Sequence, residues 1–474
     1  MFIRSHTFLT ITAFASFALA QSHEPCRLLP TDSLWPTKDV WDAFNRSVDG
    51  RLIKTVPIGS PCHDPTFDEQ QCNQVRNNWH IPEFQFVHIS SESQRAKGSP
   101  FFFPHSLPNP SSIMDPIYLN KSCDPFDPRG TPCRIGAYVQ YAVNVSSPHH
   151  VMETVRFVKK HNIRFVVKNT GHDYMGRSTG TGAVSVWLHN LQDIEFIPQF
   201  ESLGYTGPAF KANAGVLAYN LSMAADKEGL VVVSGECPTV GFAAADQTLE
   251  FEVITAQGKF IRASPTEHKD LYWALSGGGG GTYAIVWSVT IKAHPDLPIT
   301  TASLNFTSVS APDTFWKALD AFQTTTPSLT DARIWASAQY TNTSFRINPL
   351  FAVNKTTSEV SELLRPLLLT WDQLGINYTS VIASHEGYLD AYNSIPSLRA
   401  SRVGGSVLGS RLLPRRIWED EGKLKALQTT IRQLVEEGGA FVVDAAMGTR
   451  EVAGYPDNAV LPAWREAERW FGVA

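Results

Sequence analysis

Two residues of this 474-residue chain, a histidine and a cysteine, stand in glycine-flanked turns where their types suit chemistry. His172 lies in Val167-Lys168-Asn169-Thr170-Gly171-His172-Asp173-Tyr174-Met175-Gly176-Arg177-Ser178-Thr179-Gly180, directly after an apolar run. Neutral imidazole is a nucleophile, and Gly171, Gly176, Gly180 and Gly182 let backbone N–H groups approach a phosphate with no Cβ in the way. These residues suit a nucleotide-binding loop with a reactive imidazole; they also suit a glycine-rich surface turn with an incidental histidine. Cys237 lies in Gly235-Glu236-Cys237-Pro238-Thr239-Val240-Gly241, far from the other five cysteines. A backbone nest would favour its thiolate, and an inert buried thiol is the competing reading. A metal site is disfavoured because no second ligand stands at suitable spacing from His172; His149-His150 reads as a helix start.

Together the two stretches resemble the attachment points of the berberine-bridge-enzyme-like branch of the vanillyl-alcohol-oxidase flavoproteins, the PCMH-type FAD-binding superfamily. The resemblance covers most of the chain. It implies FAD, with a ring nitrogen of His172 bonded to the 8α-methyl carbon of the flavin; in members with a second link the cysteine at the Cys237 position bonds through sulfur to flavin C6, while other members carry the histidyl link alone. Such a link withdraws electron density and strengthens the oxidant. By the same match Asn169, Thr170, Gly171, Asp173, Tyr174, Gly176, Arg177, Ser178, Gly235, Gly241 and Val253 would bind the cofactor. Asp270-Leu271-Tyr272-Trp273-Ala274-Leu275-Ser276 followed by Gly277 to Gly281 looks like the family segment that packs beside the flavin. It lacks the alternating glycines of the dinucleotide fingerprint, which disfavours a Rossmann fold.

The resemblance implies an α+β protein: a PCMH-type FAD-binding domain of two α+β subdomains, and an α/β substrate domain with an antiparallel sheet. Its activity would be hydride removal from a C–H bond of an alcohol, sugar or secondary metabolite, with electrons passed to O2. The expected partners are that small-molecule substrate and O2, and the expected state is a monomer. The sequence departs from the family at two places. Gly241-Phe242-Ala243-Ala244 runs straight into Ala245-Asp246 where relatives carry a second glycine-rich stretch, so unmatched apolar surface and backbone groups are expected there. Asn458 to Arg465 resembles a segment that relatives follow with a further flavin-contacting element, whereas here Ala474 is the last residue. No catalytic base is assigned. The alternative expectation is an inactive glycoprotein or an incomplete gene product. A disulfide-rich binding module would suit residues 21–133 alone.

The elements that must position these residues become legible after Cys133. Ser147-Pro148 marks a helix start, with Val151, Val155 and Val158 at helical spacing up to Asn162. Strands are expected at Ile163–Val167, Val184–Leu188, Leu230–Val233 and around Phe251–Thr255, with a turn at Gln257-Gly258. Tyr283, Ile285, Trp287, Val289 and Ile291 would share one face of a long strand. Helical patterns cover Thr356–Leu374 and Glu419–Glu437. The expected division is a signal peptide at 1–20, a loop-rich disulfide-tied segment at 21–115, an FAD-binding domain at 116–296 and a substrate domain at 297–474.

Composition agrees with an enzyme of this kind. A hydrophobic content of 43% over this length builds substantial cores without staples. The formal charge of -5 offers no basic field, so nucleic acid is not an expected partner. Arg4, the apolar run Phe8–Ala18 and Ala18-Leu19-Ala20 read as a secretory signal, too short for the roughly 20 residues of a membrane anchor. Eight Asn-x-Ser/Thr sequons, at Asn45, Asn120, Asn144, Asn220, Asn305, Asn342, Asn354 and Asn377, suit a secreted glycoprotein. Five cysteines precede residue 134, and the expected pairings are Cys62 with Cys72 and Cys123 with Cys133, Cys26 being an alternative partner of the first two.

Overall fold

A computed structural model of the chain describes residues 26–86, 109–242, 245–307, 312–395, 402–404, 409–446 and 456–473. The expected signal segment, and Ala243-Ala244 at the expected gap, lie outside the described residues.

A four-stranded sheet contains β1 (Leu52–Lys54), β2 (Tyr141–Asn144), β3 (Arg164–Lys168) and β4 (Ala183–Trp187) in the order β1-β2-β4-β3. β2, β4 and β3 run parallel, and β1 is antiparallel to β2. The helix Pro148–Lys160 covers the sheet. Its N-cap is Ser147 in an extended conformation, with Pro148 at the first helical position, as the sequence foretold. It ends two residues before the expected Asn162, which has moved to a φ of +51°. Val151, Val155 and Val158 bury against Val143, Val184 and Val186.

Within the expected loop-rich segment 21–115, the described residues 26–86 carry more regular structure than their composition suggests. Helices Lys38–Ser47 and Glu69–Asn78 form within it, the second capped by Asp68, whose carboxylate accepts from the Gln71 N–H. Trp41 stacks on Tyr141 at 4.2 Å and Phe44 on Phe157 at 4.0 Å, so this segment completes the first core. Trp41, Phe44 and Val48 fall at helical spacing on the buried face of that first helix, a period that the proline-, serine- and aromatic-rich composition of the surrounding segment obscured. Disulfides join Cys62 to Cys72 and Cys123 to Cys133 as expected, while Cys26 is unpaired and exposed.

A five-stranded antiparallel sheet follows, built from β5 (Ile194–Ser202), β6 (Tyr205–Asn213), β8 (Thr248–Ile254), β9 (Phe260–Ala263) and β10 (Ile285–Lys292) in the order β5-β6-β10-β8-β9. The expected strand Leu230–Val233 shortens to β7 (Leu230–Val231), which pairs with β11 (His294–Pro295), and Val233 is exposed. The single apolar face expected from Tyr283 to Ile291 is also corrected. Tyr283 precedes the strand and is exposed, and a bulge between Val286 and Ser288 shifts the register. One extra residue swaps the faces. Ile285 and Trp287 therefore pack with the first core, while Val289 and Ile291 pack with Phe210, Phe251 and Val253 in the second.

The third sheet is seven-stranded and antiparallel throughout. It contains β12 (Ile299–Thr307), β13 (Trp335–Tyr340), β14 (Ser344–Val353), β15 (Tyr378–His385), β16 (Gly409–Pro414), β17 (Val442–Ala446) and β18 (Ala467–Val473), in the order β15-β12-β14-β13-β17-β18-β16. Helices Pro312–Asp331, Thr357–Gln373 and Glu421–Glu436 cover one face around Trp371, Phe322 and Phe345. Thr356 and Glu359 form a reciprocal capping box that starts the second of these where its sequence pattern begins. On the other face Ile299 and Phe351 pack with Tyr392 of the short helix Tyr388–Asn393 and with Tyr219 of the helix Ala218–Asp226. That contact brings the third sheet against the turn holding Cys237.

Candidate flavin site

β3 and β4 are parallel neighbours, so the chain must travel back the length of a strand between them. Residues 169–182 make that return, and they carry His172. Asp173 shapes the loop: Oδ2 accepts from the backbone N–H of Met175 (3.1 Å) and Arg177 (2.6 Å), and Oδ1 accepts from Arg177 Nε (2.8 Å) and Nη2 (2.5 Å). Burial works to raise this carboxyl, but the hydrogen bonds and charge of Arg177 outweigh it and hold Asp173 below the ordinary carboxylate range. Gly176 has a φ of +72°, and a Cβ there would lie 2.5 Å from the Tyr118 ring. Asp173, Gly176 and Arg177 thus build the loop.

The second turn follows β7. A Cβ on Gly235 would meet Val240 Cγ1 at 2.4 Å, so a larger residue there would have to displace the Val240 side chain. The carbonyls of Pro238 and Val240 accept from the N–H groups of Tyr219 and Ala218 at the start of the helix Ala218–Asp226, which anchors the turn. Gly241 pairs with Leu217, and a Cβ there would come within 3.3 Å of Asn169 Nδ2, bringing the two turns together.

They meet at Thr239. Its buried hydroxyl lies 2.7 Å from His172 Nε2 and 3.4 Å from Cys237 Sγ. Two residues 65 positions apart in sequence thus share one hydrogen-bonding oxygen, an arrangement with no counterpart in a surface turn. Burial lowers the His172 imidazole to about 4, which keeps it neutral and nucleophilic at neutral pH.

A cleft of about 1050 Å³ opens at His172 and runs along β3; Val240 of the second turn lines it, whereas Cys237 and Thr239 sit behind that wall and do not. His172, Asn169, Thr170, Gly171 and Ser178 line one part, and the backbone of Gly279, Gly280 and Gly281 another. Its size is at the upper end of the roughly 300–1,000 Å³ of cofactor and ligand sites. Asn169 Oδ1 is buried with no partner among the described residues, an acceptor left for a bound group. Arg27, Lys159 and Arg164 also line the cleft and supply positive charge that the motifs did not single out. Val253, an expected cofactor residue, does not line it. Its side chain is fully buried in the second core, and the pleat turns its neighbour Ile254 to the cleft instead. Tyr174 is partly exposed beside the Cys237 turn, yet the protein packed around its hydroxyl, then the charges of Cys237, Asp115 and Glu236, raise it above the ordinary value.

Sequence reasoning missed Glu236 and the tyrosines facing it. The protein around Glu236 pushes its carboxyl up from the ordinary value, although the side chain still reaches solvent. Tyr392 donates to the Glu236 carbonyl at 2.8 Å, and burial followed by the Glu236 charge pushes Tyr388 up to about 12. Both tyrosines come from the helix Tyr388–Asn393, more than 150 residues downstream, so no local signal could have paired them with Glu236.

Known proteins give the same picture. The FAD binding domain family matches residues 139–264, which span both turns. FAD-linked oxidoreductase patO of Penicillium expansum is 39% identical over 462 residues, covering 93% of this chain and 77% of that protein. FAD-linked oxidoreductase ZEB1 of Gibberella zeae is 37% identical over 477 residues, covering 95% and 78%. The crystal structure of the VAO-type flavoprotein MtVAO615 from Myceliophthora thermophila C1 superposes with a TM-score of 0.85 at 31% identity, covering 94% of this chain and 82% of that one. The glycine turns, the neutral histidine and the unpartnered acceptor of Asn169 fit FAD, which supplies hydride-accepting chemistry when bound. The chain belongs to the FAD-linked oxidoreductases of the vanillyl-alcohol-oxidase type, the superfamily that includes the berberine-bridge-like enzymes.

Proposed function

We propose that this chain is a secreted oxidase that holds FAD covalently through His172 and Cys237. It takes hydride from a C–H bond of a small alcohol, sugar or secondary metabolite and returns the electrons to O2 as peroxide. The observation that carries this reading is the convergence of His172 and Cys237 on Thr239, with His172 on the wall of the cleft. A neutral imidazole and a sulfur that share one hydroxyl are two candidate nucleophiles held side by side. The signal-like N-terminus, the sequons and the two disulfides support secretion. In this reading residues 116–296 hold the flavin, and residues 297–474 supply the substrate side, with Tyr388 and Tyr392 reaching the Cys237 turn. In this reading Glu236, exposed on the Cys237 turn with its carboxyl pushed up by the surrounding protein, is the candidate acid–base group for the substrate hydroxyl.

The test is secretory expression followed by acid denaturation. Yellow, fluorescent flavin retained on peptides containing His172 and Cys237 is the expected result. A folded, colourless protein would return the chain to the inactive-glycoprotein reading.

A further inference from the structure

We infer that Thr239 is a positioning residue for both flavin attachments, its single hydroxyl orienting the His172 ring and the Cys237 sulfur together. The inference rests on the covalent reading above and goes beyond it to the device that sets up the two bonds.

The geometry permits few hydrogen-bond patterns. Thr239 Oγ1 is 2.7 Å from His172 Nε2 and 3.4 Å from Cys237 Sγ, and Thr239 is 2% exposed, so water does not substitute readily. A hydroxyl carries one donor and two acceptor sites. When Nε2–H donates to Oγ1, the Oγ1–H turns to Sγ, and the lone pair of the imidazole resides on Nδ1. In that pattern one hydroxyl accepts from the histidine and hands a donor to the sulfur; the reverse pattern, with Oγ1–H donating to Nε2, leaves the ring proton on Nδ1.

The chemistry of attachment uses that pattern. Each attachment replaces one N–H or S–H hydrogen and one flavin C–H hydrogen by a single N–C or S–C bond. The two protons and two electrons set free go to dioxygen as hydrogen peroxide. As the Nδ1 lone pair forms its bond, the imidazole becomes cationic and must shed the proton on Nε2, the atom that Thr239 holds. An acceptor already in place at 2.7 Å strengthens as that charge develops. Thr239 touches neither flavin carbon; it acts through His172 and Cys237. The turn is built for it: Gly235 closes on Val240, and the carbonyls on either side of Thr239, those of Pro238 and Val240, are tied to the helix Ala218–Asp226.

The experiment compares wild type, Thr239→Val, Thr239→Ala and Thr239→Ser as full chains from the same secretory host at matched expression times. Peptide mass spectrometry reads the fraction of the His172 and Cys237 peptides that carry flavin, and thermal melts read folding. Loss of the hydroxyl is expected to lower attachment at both residues by about tenfold, the scale of one hydrogen bond made in the reacting complex. Thr239→Ser is expected to restore both. A purely structural role would lower the melting temperature while leaving flavin per folded molecule unchanged at both residues, and that result overturns the inference. So does slowing at only one of the two residues, or a serine variant as impaired as the valine one. Where the valine and alanine variants are not secreted, the serine variant decides: wild-type attachment at both residues supports the inference and impairment at either overturns it. A wild-type protein that releases all its flavin in acid removes the covalent reading itself, a result separate from any difference among the variants.

Discussion

Glu236 and Lys168 show what single side chains contribute beyond the motifs. In the proposed oxidase Glu236 is the substrate base and must be ionised to work, so activity is expected to fall as pH drops through its raised value. Glu236→Gln is expected to lower turnover by about a hundredfold or more and to remove that acidic limb from the pH–rate profile. An unchanged profile would assign the proton to another group. Lys168 is the last residue of β3, next to the flavin loop, and is 1% exposed. Its Nζ donates to the carbonyls of Asn109 and Pro110 at 3.0 Å each. Burial lowers it from 10.5 to about 7. Between those values the unfolded chain binds more protons than the folded one, so stability rises with pH across that window. Denaturation midpoints should climb above pH 7, and the climb should flatten in Lys168→Met.

The element that joins the two halves is the C-terminal segment docked on the helix Lys269–Gly278. Asp457 accepts from Trp273 Nε1 at 2.8 Å, and Asp246 accepts from Asn458 Nδ2 and Arg465 Nη2 at 2.7 Å each. Gly277 makes the approach possible: its φ is +116°, and a Cβ would lie 2.4 Å from Val460 N. Gly277→Ala is expected to destabilise the protein by about 2 kcal/mol or more, because strain and a backbone clash coincide. Urea denaturation checks it, and a loss within 0.5 kcal/mol would show that the segment does not bear on the helix. The glycine run itself was legible in the sequence. Its reason was not, since Val460 comes from 183 residues downstream.

Across the whole molecule, the third sheet holds a buried ion pair. Asp444 on β17 and Arg469 on β18 are 0% and 1% exposed, and Tyr340 on β13 donates to Asp444 at 3.2 Å. Burial pushes the Asp444 carboxyl up, opposed by the Arg469 charge. Arg469→Met leaves that carboxylate without its cation and is expected to cost about 3–5 kcal/mol. The double variant with Asp444→Asn should cost clearly less than the sum of the singles, and additive costs in a double-mutant cycle would dismiss the coupling. The same sheet places the helix Tyr388–Asn393 over Glu236, so loosening it should also raise substrate KM before it affects attached flavin.

The sequence by itself determined the local pieces. Ser147-Pro148 and the Thr356 capping box started helices where expected, because caps and apolar spacing act over three or four residues. The two loops with His172 and Cys237 were legible for the same reason: close backbone approach requires glycine at particular positions. Their meeting at Thr239, the bulge at Trp287 that sends β10 into two cores, and the displacement of Val253 from the cleft were decided by tertiary structure. So was the N-terminal segment, whose helices form because Trp41 and Phe44 find aromatic partners about 100 residues away or more. Short-range conformational preference is written in neighbouring residues, whereas register, facing and shared hydrogen bonds depend on which distant surfaces bury together.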